Sequence, residues 1–198
     1  MAKGKLKGSE MRDIVAWRKF LEQKAKALLT DRSHDWPHTS RVLRNALRIS
    51  QKEGGDKGII VASALLHDIG YARNEAHHEI ESAQMARRLL AQSGFSKSKI
   101  PAVLSCIRKH RFSKGHKAET IEEQILQDAD KLDAMGAIGV ARCFLWTGER
   151  KMRMEIGVEH FHDKLLKLGS LMNTKQGRRM AKSRHDYMIS YLKTLGKE

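Results

Sequence analysis

The chain has 198 residues, 40% hydrophobic and 31% charged, the proportions of a soluble globular protein with room for one well-buried core and little for a second. Its net charge of +15 points to polyanionic partners, whether nucleotides, nucleic acid or anionic lipid, without choosing among them, because Lys and Arg are spread along the chain. No apolar run approaches the roughly 18 residues of a membrane span, and the basic start Met1-Ala2-Lys3-Gly4-Lys5-Leu6-Lys7-Gly8 lacks the apolar centre of a signal peptide.

Residues 1–9 read as a flexible basic tail. From 11 to 29, Ile14, Trp17, Phe20, Leu21 and Leu28 recur at helical spacing. A turn through Asp31 to Trp36 leads to Pro37, which suits the first turn of a helix carrying His38, Val42, Leu43, Ala46, Leu47 and Ile49 up to Gly54-Gly55. The next stretch, residues 59–70, is apolar on nearly every side, as a buried helix is, and Gly70 is placed to end it. After a loop near 71–76, one helix is expected from 78 to about 93, and another through Ile100, Val103, Leu104 and Ile107 up to Lys109-His110. Beyond a loop at 111–117, Ile121, Ile125, Leu126, Ala129 and Leu132 mark a further helix. Gly136 and Gly139 allow close backbone packing as the chain turns into 138–145. Residues 148–157 read as a mobile loop, and two final helices follow, one with Phe161, Leu165 and Leu168, the other with Met180, Tyr187, Met188, Tyr191 and Leu192. No stretch alternates as a strand would, and there is no repeat or linker. The reading is a single all-α domain over 10–198, with a core at about 30–145 and a C-terminal helical appendage at about 158–196. Cys106 and Cys143 are far apart and form no CxxC pair, which fits a reducing cytoplasm.

The apolar stretch at 59–70 carries an imidazole and a carboxylate, His67-Asp68, into the interior. Burying an unpaired carboxylate is costly, so such groups are paired or bound to metal. The negative end of a helix dipole also favours a cation there. A metal anchor and a core His–Asp hydrogen bond are both open on the dyad alone. His38 stands in the first turn of its helix; His34, four residues earlier, is set off by Pro37 and reads as exposed or as a partner behind the ligands. A semi-apolar helix carries Asp128, Asp130 and Asp133, whose offsets of two and three residues point them in different directions.

Taken in order, His38-Thr39-Ser40-Arg41-Val42, Leu65-Leu66-His67-Asp68-Ile69-Gly70 and Ala129-Asp130-Lys131-Leu132 resemble the HD-domain superfamily of metal-dependent phosphohydrolases over roughly residues 30–145. The C-terminal helices, with His160-Phe161-His162-Asp163, look like those of small stand-alone bacterial members, some of which are nucleotide pyrophosphohydrolases. The resemblance implies a metal site of His38, His67, Asp68 and Asp130, with Asp130 favoured over Asp128. Two nitrogens and two oxygens with open positions suit octahedral Mn2+, with Mg2+ or Fe2+ as alternatives, better than a closed zinc site. Asp68 would both bind metal and orient water, with His110 and Lys131 as further catalytic groups. His78 and His110 resemble positions where two-metal members place extra ligands; contact with substrate phosphate over a single ion is preferred here to a second ion. Arg41, His78, Lys109 and Arg111 are the candidates for binding phosphate, which needs positive partners in a water-poor site. The stretch Ile69-Gly70-Tyr71-Ala72-Arg73 lacks the acidic pair of alarmone hydrolases, and triphosphohydrolase members are usually much longer.

The expected activity is hydrolysis of a nucleoside triphosphate to monophosphate and pyrophosphate by metal-activated water. A phosphodiesterase or phosphomonoesterase on the same ligands is the nearest variant. A basic nucleic-acid-binding module with a vestigial site is the alternative from another class, although no zinc finger or aromatic-rich RNA-binding signature is present. Monomer and homodimer are both open.

Overall fold

The computed structural model describes residues 8–31 and 34–198. Nine α-helices run through them: α1 Gly8–Leu28, α2 Trp36–Glu53, α3 Lys57–Leu66, α4 His78–Gln92, α5 Ile100–Lys109, α6 Ile121–Asp133, α7 Gly136–Glu149, α8 Met154–Asp163 and α9 Lys175–Leu195. No strand occurs among the described residues, so the all-α reading holds.

Local chemistry sets most of these boundaries. Asp35 caps α2 by accepting from the backbone N–H of His38 at 2.8 Å, with Pro37 in the first turn. Asp56 caps α3, and Thr120 with Glu123 forms a reciprocal capping box at the start of α6. Thr174 caps α9 by accepting from the backbone N–H of Gly177. α3 lies at the centre, with every residue from Ile59 to Leu66 buried, between α2, α5 and α1. α2 packs most extensively on α6, and α4 on α5.

The central helix is shorter than its apolar run. It ends at Leu66, with His67 at the C-cap and Asp68 in the turn that follows. Gly70 therefore does not stop a helix; it lets that turn press against α4. A Cβ there would come within 2.6 Å of the Ser82 backbone nitrogen, and its own N–H donates to Ser82 Oγ at 2.9 Å. Gly139 has a similar role, since a Cβ would collide with the Ala134 carbonyl.

Other boundaries also shift. Gly8 and Ser9, read as part of a tail, belong to α1, and residues 1–7 of that tail lie outside the described residues. The segment read as a mobile loop at 148–157 is mostly structured: α7 continues to Glu149 and α8 begins at Met154. Leu165 and Leu168 sit in a 3-10 stretch, Leu165–Leu171, rather than in the helix of Phe161. Among the described residues, no helix is long and apolar enough to cross a membrane.

Asp128 ties the C-terminal segment to this core. Its two oxygens accept from the Asn173 backbone and side chain (2.8 and 3.0 Å) and from the Thr174 backbone and hydroxyl (both 2.8 Å). With its acceptor capacity spent there, it serves as a clasp.

Candidate metal centre and its cavity

Four buried histidines reach one carboxylate from the ends of four helices. Each has its Nδ1 committed. His67 donates to Ala64 O at 2.9 Å, His78 to Glu75 O at 2.9 Å and His110 to Ile107 O at 2.6 Å, each three residues back. His38 Nδ1 instead donates to Asp133 Oδ2 at 2.7 Å. Carbonyl and carboxylate oxygens only accept, so Nδ1 carries the proton and Nε2 presents a lone pair in the neutral ring.

Those four Nε2 atoms surround Asp68. Oδ2 lies 3.3 Å from His38 and 3.2 Å from His67; Oδ1 lies 3.4 Å from His78 and 3.3 Å from His110. The Nε2 atoms also pair with each other at 3.3 Å, His38 with His67 and His78 with His110. Lone pairs at that separation repel unless a proton or a metal ion lies between them, and Asp68 Oδ1 is buried without a hydrogen-bond partner. Two triads that share Asp68 therefore fit divalent metal: His38, His67 and Asp68, and Asp68, His78 and His110. Asp130 Oδ1 stands 3.6 Å from His38 Nε2. Without metal, burial opposes charge on both His67 and Asp68, but their mutual attraction wins, lifting His67 to about 9 and holding Asp68 well below the usual carboxylate range.

The expected site residues divide sharply. His38, His67, Asp68, His78, His110 and Asp130 converge. Arg111 and Lys131 line the same cavity. Lys131 is buried, with Nζ donating to Leu171 O at 2.7 Å and 3.6 Å from Asp128; burial lowers its pKa against the pull of Asp128. Arg111 donates to Ala76 O at 2.8 Å. Arg41 and Lys109 do not join them. Arg41 grips Asp133 with a two-point fork at 2.6 and 3.0 Å and faces a different depression. Lys109 is spent on Glu119 and Glu123, at 2.6 and 3.2 Å. In both cases a nearer carboxylate captures the cation that substrate was expected to take.

Several participants were missed. Asp133 receives His38, Arg41 and Arg142 (2.8 Å), and these partners hold its carboxyl far below the ordinary range despite burial. It sets the tautomer and angle of His38, as partners behind metal ligands do. His34 is not exposed: it stacks on Tyr71 at 3.7 Å and lines the cavity. The cavity, about 310 Å3, runs from Asp68 to a wall made by the C-terminal helices. There Trp146 of α7 and His160 of α8 stack at 5.6 Å with 23° between their planes. Lys164, Phe112 and Arg142 complete that side. No spacing in the sequence joins Trp146 to His160, since the two helices meet only through tertiary packing.

Residues 36–135 match the family model described as HD domain, and the chain belongs to the HD-domain family. It is a metal-dependent phosphohydrolase, and the His/Asp cluster is the kind of site that class uses. Among individual proteins, it is 33% identical over 183 residues to Bacillus subtilis YpgQ, covering 87% of this chain and 89% of that one. A crystal structure of YpgQ in complex with ADP superposes with a TM-score of 0.81 at 31% identity, covering 93% of this chain and 96% of the other. An HD-superfamily hydrolase from Bacillus thuringiensis gives 0.69 at 32% identity, covering 96% and 95%.

Proposed function

We propose that this hydrolase acts on nucleotides, cleaving a nucleoside triphosphate to monophosphate and pyrophosphate, in the manner of small stand-alone nucleotide pyrophosphohydrolases. The observation that carries the reading is one continuous cavity, with an Asp68–histidine cluster at one end, an aromatic Trp146–His160 face beside Arg142 and Lys164 at the other, and Lys131 and Arg111 also in its lining. That order matches a polyphosphate flanked by a base. ADP bound to the similar YpgQ supports it.

In this reading His38, His67, Asp68 and Asp130 hold a divalent cation. Its Lewis acidity, when bound, acidifies water and draws charge from a phosphoryl oxygen. For His78 and His110, a second cation is favoured over direct contact with phosphate. A neutral ring whose Nδ1 proton is committed has nothing to donate at Nε2, and burial keeps His78 towards the neutral form. Mn2+ is the first choice, with Mg2+ or Fe2+ behind it, for a set of imidazoles and carboxylates with open positions. Lys131 is positioned to neutralise phosphate from a water-poor wall, and Arg111 to do so from the mouth. Asp68, shielded from solvent and ringed by imidazoles, would also orient the attacking water. Residues 10–198 are taken as one domain whose C-terminal helices complete the substrate cavity. The cytoplasm is the proposed setting, since Cys106 and Cys143 are free buried thiols.

The test is a panel of ribonucleotides, deoxyribonucleotides and simple phosphate esters, each with Mn2+, Mg2+, Co2+ and Fe2+, with products separated as phosphate or pyrophosphate. Pyrophosphate release from triphosphates is expected. Turnover restricted to monoesters or diesters would replace the proposed substrate while leaving the metal site intact.

A further inference from the structure

On the far side of Asp133 from the metal centre lies a second depression, of about 220 Å3, lined by Arg41, Arg44, Arg48 and Arg184 and sharing no lining residue with the first cavity. We propose that it is an anion-binding site for a compact phosphate-bearing molecule, inorganic pyrophosphate or the phosphate tail of a nucleotide.

Arg41, Arg44 and Arg48 share one face of α2 at i, i+3 and i+7, while Arg184 comes from α9. Among the described residues, the one lining carboxylate is Asp133, which His38, Arg41 and Arg142 already engage. Arg44 and Arg48 have no ion pair or hydrogen-bonded acceptor among the described residues.

Arg184 is anchored but not neutralised. One nitrogen of its fork donates to Leu132 O and another to Asn45 Oδ1 at 3.0 Å, both uncharged acceptors. Its stem lies against Gly136, whose φ of +70 suits glycine and where a Cβ would come within 3.1 Å of Arg184 Cγ. Burial and the neighbouring Arg48 push charge out of Arg184, against the pull of Asp133. The result is a fixed, half-buried guanidinium beside two exposed ones, with too little negative charge to balance them. Guanidinium forks match phosphate oxygens two at a time, and a bound oligophosphate relieves this repulsion.

Equilibrium dialysis of the full-length, manganese-loaded protein with radiolabelled pyrophosphate, and in a separate arm ADP, tests the proposal. The paired substitution Arg44→Gln/Arg48→Gln removes two exposed side chains outside the metal site. The wild type is expected to show a site that weakens about tenfold or more in this variant, with losses of one or two charge-assisted bonds. Phosphate-ester turnover and helical circular dichroism should stay unchanged. Retention of pyrophosphate there assigns the inorganic anion, and retention of ADP alone assigns a nucleotide. The proposal is overturned if binding is the same in wild type and variant. It is equally overturned if Arg87→Gln/Arg88→Gln, which takes the same charge from exposed positions on α4, weakens binding as much.

Discussion

One wall of the cavity is made by the ends of α2, α3, α4 and α5 together with α6, and the other by α7, α8 and the 3-10 stretch after it. On the first wall the four histidines around Asp68 are each fixed by a bond from Nδ1 and buried from solvent. On the second, Trp146 and His160 are partly exposed and lean on each other, while Lys164 is exposed. Geometry is tight where the proposed cation would be held and looser where the proposed substrate would enter and leave. Changes on the first wall should therefore strike metal binding and turnover, and changes on the second should strike substrate affinity.

The sharpest way to break that division is Asp68→Asn. It removes the charge that four imidazoles share, and the cost is expected to be on the order of 1000-fold or more in phosphate-ester hydrolysis, several kcal/mol of stabilisation being lost. Metal content should fall with it while helical circular dichroism persists; activity near wild type would show that the reaction does not need this carboxylate. Asp133→Asn acts one layer back, by slackening His38. The expected loss is roughly 10–100-fold in metal affinity, read by titration with Mn2+. An equal loss of substrate affinity at saturating metal would instead place Asp133 at the substrate.

On the opposite wall, Trp146→Ala should raise KM for a nucleoside triphosphate about tenfold, the worth of one lost stacking partner, and leave kcat within about twofold. A base-free tripolyphosphate substrate should not notice the change. If kcat falls for both substrates, the aromatic wall is organising chemistry and the division is wrong. The mildest effect is expected from Asp128→Asn. It loosens the clasp on Asn173 and Thr174 for about 1–3 kcal/mol, seen as a lower Tm, with manganese affinity unchanged. A change in metal affinity there would move the last ligand from Asp130 to Asp128.

The convergence of His38, His67 and Asp68 was legible because they occupy recognisable places: His38 after an Asp-x-Pro start, and His67-Asp68 at the close of the most apolar run. What that pattern could not tell is which cation goes to which anion. Arg41 is three residues from His38, and sequence neighbourhood made it a phosphate binder, but Asp133 arrives from α6 and takes it. Asp133 was given no role, because only the packing of α2 on α6 reveals its contact with His38, 95 residues away. The expected loop at 148–157 failed for a different reason. Its charges and methionines hide a short helix, α8, whose Phe161 is fully buried against the C-terminal layer, a support supplied by tertiary contact and not by local propensity.

Crystals grown with Mn2+ and measured for anomalous scattering address the metal centre itself. The account predicts a peak between Asp68 and the Nε2 atoms of His38 and His67, and a second between Asp68, His78 and His110 when the metal is in excess. Density on the surface alone, with none beside Asp68, would contradict it.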